Sequence, residues 1–187
     1  MRISGGSLRG RTIRAPRGLK TRPTSDFLRQ VAFNLLGERI REANLLDLFA
    51  GSGAFGLDAL SRGADRVTFV EQDRAAVSAL TANLAALGLA ARAEVLRGSV
   101  SAALRAPEGV GEPFDVVFLD PPYGEDVILP TLESLASGND LRENGVVLVQ
   151  AFHKAPLPER VGCLQLTICR RHGESCLALN AKERACP

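Results

Sequence analysis

Apolar positions along this chain alternate between two rhythms. Short apolar runs, Leu45-Leu46, Val67–Val70 with Thr68 inside it, Val116–Leu119 and Val146–Val149, have the character of strands covered on both faces. Between them, apolar residues recur every three or four positions, as in Phe27, Leu28, Val31, Ala32, Leu35 and Leu36, and again in Val77, Leu80, Leu84 and Leu87. The first set predicts a helix capped by Thr24 or Ser25 that packs on the body, the second a helix capped by Asp73 and stopped by Gly88. Strands are expected at Asn44–Ala50, at Val67–Val70 ending in Glu71, at Arg92–Leu96, through Leu119 and at Val146–Phe152. A glycine-rich turn, Gly51–Gly56, leads from the first strand into a helix reaching about Arg62. A short helix, Ser101–Arg105, and one over Asp126–Ser137 that tolerates Pro130 near its start complete the alternation. Cys163–Arg170 and Ser175–Leu179 read as a closing hairpin about His172-Gly173. Two short alternating pieces around Gly5-Gly6-Ser7 suggest a small N-terminal hairpin or arm.

Strands alternating with helices predict an α/β fold, an open and mostly parallel sheet with helices on both faces. In such sheets ligands bind outside the carboxyl ends of the strands, where Gly51, Glu71, Ser99 and Asp120 would converge. The length of 187 residues suits one domain, with a body from residue 24 onward and residues 1–23 as an arm.

Two stretches carry candidate chemistry. Strand, glycine turn, helix, and then a carboxylate (Glu71) about twenty residues on is the order a nucleotide-like ligand requires, since glycines admit close backbone approach and an acid can hold a ribose diol. The second stretch is Asp120-Pro121-Pro122-Tyr123 at the end of the Val116–Leu119 run. Two prolines stiffen the backbone and leave carbonyls free to accept. An acid, a proline carbonyl and a ring together suit the exocyclic amine of a nucleobase: the amine donates to the first two and the base stacks on Tyr123.

Charge adds a polyanion contact. The first 25 residues contain Arg2, Arg9, Arg11, Arg14, Arg17, Lys20 and Arg22 and no acid, whereas the remainder has 16 basic and 21 acidic residues. A basic arm on a mildly acidic body fits phosphate binding. The four cysteines form no C-x-x-C pair and only two histidines exist, so no metal site is expected and the cysteines read as reduced thiols. No apolar run reaches membrane-spanning length and the basic N-terminus lacks the apolar core of a signal peptide, which predicts a cytoplasmic protein without a membrane partner.

The chain resembles the class I S-adenosylmethionine-dependent methyltransferases, and within them the RsmD group that methylates the N2 of a guanine in small-subunit (16S) ribosomal RNA. The resemblance rests on Gly5-Gly6 with Arg9-Gly10-Arg11, on Lys20 to Asp26, on Asp47 to Leu57, on Ala59 to Gly63 and on Asp120 to Tyr123. It implies a Rossmann-like, mostly parallel seven-stranded sheet and S-adenosyl-L-methionine as cofactor. Its methionine part would lie against Asp47, Phe49, Ala50, Gly51, Ser52, Gly53 and Gly56, with its ribose at Glu71 and Gln72. Arg22, Thr24, Ser99 and Asp120 complete the implied cofactor set. In many relatives an acid follows the glycine after the third strand, where this chain has Ser99. The implied catalytic residues are Asp120, Pro121, Pro122 and Tyr123, and RNA contacts are expected at Arg9, Arg11, Arg14, Lys20 and Arg22. The implied partner is ribosomal RNA or an assembling small subunit, bound by a monomer. Rival readings are transfer to an adenine amine or a protein amide, a dinucleotide-dependent oxidoreductase, and a non-catalytic RNA-binding or assembly protein.

Overall fold

In the computed structural model, which describes residues 1–15, 25–106, 110–122 and 126–183, eight strands form one sheet. They are β1 (Asn44–Leu48), β2 (Arg66–Glu71), β3 (Ala93–Arg97), β4 (Phe114–Leu119), β5 (Leu141–Phe152), β6 (Arg160–Val161), β7 (Leu164–His172) and β8 (Ser175–Lys182). Their spatial order is β3-β2-β1-β4-β5-β8-β7-β6. The first five run parallel, and β8, β7 and β6 close the sheet antiparallel. The chain order reverses between β1 and β4, so the crevice of this α/β sheet opens at their carboxyl ends. The expected fold class stands, with one strand more than the implied seven: the two-residue β6, too short to carry a period-two signal, pairs with the start of β7.

Five helices cover the faces: α1 (Asp26–Leu36), α2 (Ala54–Ser61), α3 (Arg74–Leu87), α4 (Val100–Leu104) and α5 (Ile128–Ser137). Their ends follow side-chain chemistry. Ser25 caps α1 by accepting from the Leu28 N–H, Asp73 caps α3 by accepting from Ala76, and Gly88 ends α3 in the left-handed region (φ 70°). One face of the sheet packs against α1, α2 and α3 through Phe33, Phe55, Phe118, Leu148 and Leu177, the other against α5 through Leu119, Leu132, Leu135, Val149 and Ala178. A stack of rings, Phe33 on Phe55 (4.7 Å) and Phe55 on Phe118 (3.6 Å), ties α1 and α2 to the strand that ends at Asp120.

Two expectations are refined. The fully buried stripe of α1 is Arg29, Ala32, Phe33 and Leu36; of the apolar set read from the sequence, Ala32 and Leu36 are buried, Leu28, Val31 and Leu35 pack against the core, and Phe27 alone stands out, 61% exposed. Arg29 shares the i, i+3, i+4, i+7 phase with that stripe, and its burial is compensated by Asp58 beneath it together with Asp26 and the Arg2 carbonyl. The small N-terminal hairpin is present but docked: the Arg2–Thr12 bridge and backbone hydrogen bonds from Ile3 to Arg11 and from Ile13 to Met1 join its limbs, while Ile3 and Ile13 are buried in the core. No helix among the described residues is long and apolar enough to cross a membrane.

Candidate functional site

The carboxyl ends of β1, β2, β3 and β4 lie in register, Leu48 beside both Val70 and Leu119 and Glu71 beside Arg97. What each strand carries at that edge therefore faces one crevice. From β1 the chain turns sharply: Phe49 (φ 61°) and Gly51 (φ 57°) are left-handed, and Gly53 (φ 77°) caps α2 from the same region. A Cβ on Gly51 would meet no atom within 4 Å, so this residue faces open space. A Cβ on Gly56 would meet the Phe69 ring at 2.3 Å, so that glycine lets α2 sit directly on β2. The first glycine is suited to a ligand and the second to packing.

Acids fix this loop. Glu71 accepts the Gly51 N–H through Oε2 (2.7 Å) and the Asp73 N–H through Oε1 (2.8 Å). Asp47, on β1 and 1% exposed, accepts the Gly56 N–H through Oδ2 (2.9 Å). Burial pushes the Asp47 carboxyl well above its ordinary range; the Gly56 hydrogen bond opposes that rise, and the charges of Asp120 and Glu71 add to it. Three carboxylates thus share one crevice and repel one another. A cationic ligand would relieve that repulsion, and the second lone pairs on Glu71 remain suited to a diol.

Asp120 follows β4 directly and is half-buried; Pro121 behind it is buried and Pro122 exposed. Because Phe118 packs on the α1 face and Leu119 on the other, strand alternation directs Asp120 to the α1 side. A cavity of about 250 Å³ opens beside the crevice, lined by Val70, Leu96, Gly98, Ser99, Ala102 and Val110 among others. It is mostly apolar, and neither Asp47 nor Asp120 lines it. Ser99 sits at its rim and caps α4, its hydroxyl accepting from the Ala102 N–H (3.2 Å). The Ser99 hydroxyl thus serves the helix.

The crevice gathers Asp47, Phe49, Ala50, Gly51, Ser52, Gly53, Gly56, Glu71 and Asp120 at one edge, with Ser99 on the adjoining cavity; Gln72 is exposed beyond them. Lys20, Arg22, Thr24 and Tyr123 lie outside the described residues. Arg9, Arg11 and Arg14 are exposed, as a polyanion contact needs, and the Arg11 guanidinium donates to the Ala86 carbonyl at the end of α3. Among the described residues no group of three or more His, Cys, Asp or Glu side chains is disposed to hold a metal.

Three residues that shape the site went unread in the sequence. Asp58, fully buried in α2, accepts from the Ser4 and Gly5 N–H groups and from Arg29 Nε (2.7 Å), while Arg29 Nη2 donates to the Arg2 carbonyl. Asn83, 2% exposed on α3, accepts the Arg14 N–H (2.8 Å) and donates to the carbonyls of Arg14 and Ser52. The arm is therefore tied to the glycine loop itself. An acid alone in an apolar helix, as Asp58 is in Ala54–Ser61, was the one available signal.

Comparison with known proteins places this geometry among relatives. The family model described as "Conserved hypothetical protein 95" matches residues 1–181. The Ribosomal RNA small subunit methyltransferase D of Escherichia coli (strain K12) is 38% identical over 158 residues, 84% of this chain and 78% of the relative. A protein of Bacillus subtilis provisionally named rRNA methyltransferase YlbH is 36% identical over 182 residues, 97% of this chain and 99% of its own. A solved Escherichia coli structure, provisionally named methyltransferase yhhF, superposes with a TM-score of 0.88 at 36% identity and covers 99% of both chains.

Proposed function

The chain belongs to the family described as conserved hypothetical protein 95, the RsmD family, and from that membership we propose that it transfers a methyl group from S-adenosyl-L-methionine to the exocyclic N2 of a guanine in small-subunit ribosomal RNA, acting in the cytoplasm. The observation that carries the reading is the meeting of Asp47, Glu71 and Asp120 at one strand edge around an open glycine turn. Such an edge favours a ligand that brings positive charge and a ribose.

When bound, the cofactor supplies an electrophilic methyl on a sulfonium centre. The chain's own residues do the rest. Asp47 would neutralise the ligand's ammonium and Glu71 would accept from the ribose hydroxyls through its remaining lone pairs. The apolar cavity behind Ser99 holds the adenine. Asp120 accepts one hydrogen of the guanine amine and the Pro121 carbonyl the other. The amine's lone pair is delocalised into the ring, so fixing both hydrogens pulls the nitrogen toward a pyramidal, nucleophilic shape. Positioning of this kind is worth up to ~7–11 kcal/mol in well-oriented model reactions. Asp120 also stabilises positive charge developing on that nitrogen. Tyr123 stacks on the flipped base, so Tyr123→Phe is expected to be milder than Tyr123→Ala.

Names of relatives that specify ribosomal RNA and the basic arm support RNA over protein as the acceptor. The test is incubation of the protein with labelled S-adenosylmethionine and small subunits from a strain lacking it, followed by nucleoside identification. Label in N2-methylguanine is expected. Label in adenine or in protein would overturn the assignment.

A further inference from the structure

Two of the few large apolar side chains left exposed among the described residues, Phe27 (61%) and Phe152 (37%), stand at the same edge of the sheet as Asp120. The register shows why. Val149 pairs with Leu119, so Phe152 lies just past the level of Asp120 on the next strand. Leu148 and Phe118 both pack on the α1 face, and strand alternation therefore sends Asp120, Gln150 and Phe152 to that face. Cross-strand pairing continues the row, Phe152 opposite Ser175 and Ser175 opposite His172. The His172 ring meets Phe27 edge to face, centroids 5.8 Å apart, and the Phe152 ring lies 4.5 Å from His153. Lys154, Arg170 and Arg171 are exposed on the same strand ends, with Glu174 the acid among them. The Nε2 atom of His172 is buried with no hydrogen-bond partner among the described residues, a group whose satisfaction needs a partner from elsewhere.

We propose that this rim, Phe27–His172 on one side and Phe152–His153 on the other, seats the unpaired RNA nucleotides that flank the target base. The inference rests on RNA being the methyl acceptor. Rings present faces on which any base can stack, and cations set among them meet phosphates, a combination that suits single-stranded nucleic acid. The basic arm would hold the backbone at the other side of the crevice, so the rim accounts for the remaining contact a flipped nucleotide needs: support for the neighbours it leaves behind.

The experiment uses the full chain and in vitro transcribed small-subunit ribosomal RNA. Binding is measured for the parent, for Phe27→Ala and Phe152→Ala singly and together, and for the tyrosine variants at both positions. Cofactor affinity and thermal unfolding are followed in parallel. Each alanine is expected to weaken RNA binding ~5- to 150-fold per stacked base lost, with cofactor affinity and unfolding temperature unchanged, and tyrosine is expected to restore binding. Parental RNA affinity in the double alanine variant would overturn the rim even if the parent methylates that RNA, leaving the proposed activity intact. Conversely, weakened RNA binding in the variants of a parent that methylates no RNA would sink the activity and, with it, the assignment of the rim to the neighbours of a methylated base. Full affinity for naked RNA with defects only on assembled particles would assign the surface to a ribosomal protein and overturn the proposal.

Discussion

The two halves of the sheet edge are built differently. Along β1, β2 and the glycine loop, the polar groups are already engaged inside the protein: Glu71 with Gly51 and Asp73, Asp47 with Gly56, the Ser52 carbonyl with Asn83, and Asp58 with Arg29 and the arm. Along β5, β7 and the start of α1, the same edge presents exposed rings and cations. The first half has the form of a preorganised ligand cradle, the second of a surface that a large flexible partner finishes. The difference teaches that binding a small cofactor and binding a polymer place opposite demands on one edge: fixed geometry on one side, adaptable contact area on the other.

The comparison breaks most severely at Asp58. Arg29 and Asp58 are both 0% exposed, and Asp58→Ala removes the buried acceptor of Arg29 Nε, leaving the guanidinium to Asp26 and the Arg2 carbonyl at Nη2. We expect ~3–5 kcal/mol of destabilisation in denaturant unfolding, with loss of arm docking; a change below 1 kcal/mol would show that the arm is held by its isoleucines alone.

Asp120→Ala tests whether the open half does chemistry. Turnover is expected to fall ~10²–10³-fold or more, with cofactor affinity within about twofold of the parent. Parallel loss of both would make Asp120 part of the cradle.

Asp47→Asn sharpens the other side. Removing one charge-assisted contact is expected to weaken S-adenosylmethionine binding by ~1.5–3 kcal/mol in calorimetry. The pH dependence has a defined sign. Because the carboxyl of the folded protein titrates well above 3.8, the folded state holds a proton the unfolded chain has lost, so this group's contribution to stability declines as pH rises through that window. Cofactor affinity should rise over the same window, since the cation prefers the ionised acid. Asp47→Asn should flatten both slopes.

Asn83→Ala is expected to have the smallest effect, about 1 kcal/mol on stability, because water can reach the half-buried Arg14 groups it leaves. Its cofactor affinity should nevertheless drop measurably by calorimetry, since the Ser52 carbonyl loses its anchor; an unchanged affinity would show that the arm and the loop are energetically independent.

Much of this edge was legible in the order of residues. Periodicity and the caps Ser25, Asp73 and Gly88 placed α1 and α3, and the spacing of Gly51, Glu71 and Asp120 brought them to one crevice. These are local or topological facts: a cap needs only its own first turn, and parallel strands deliver their carboxyl ends to one side by construction. The burial of Arg29 and the exposure of Phe27 were not legible on α1, because a guanidinium enters a core only where acceptors such as Asp58 lie beneath it. The role of Ser99 was likewise hidden until its hydroxyl was seen capping α4.

The sequence by itself determined the strand and helix rhythm, the family and the acids at the strand tips. Only the tertiary structure decided that the N-terminal segment is docked, that Phe27 faces outward beside His172, and that Asn83 joins arm to loop. Those outcomes depend on pairings far apart along the chain, such as Asn83 with Arg14, 69 residues away, and no local pattern records which distant partner will satisfy a buried polar group.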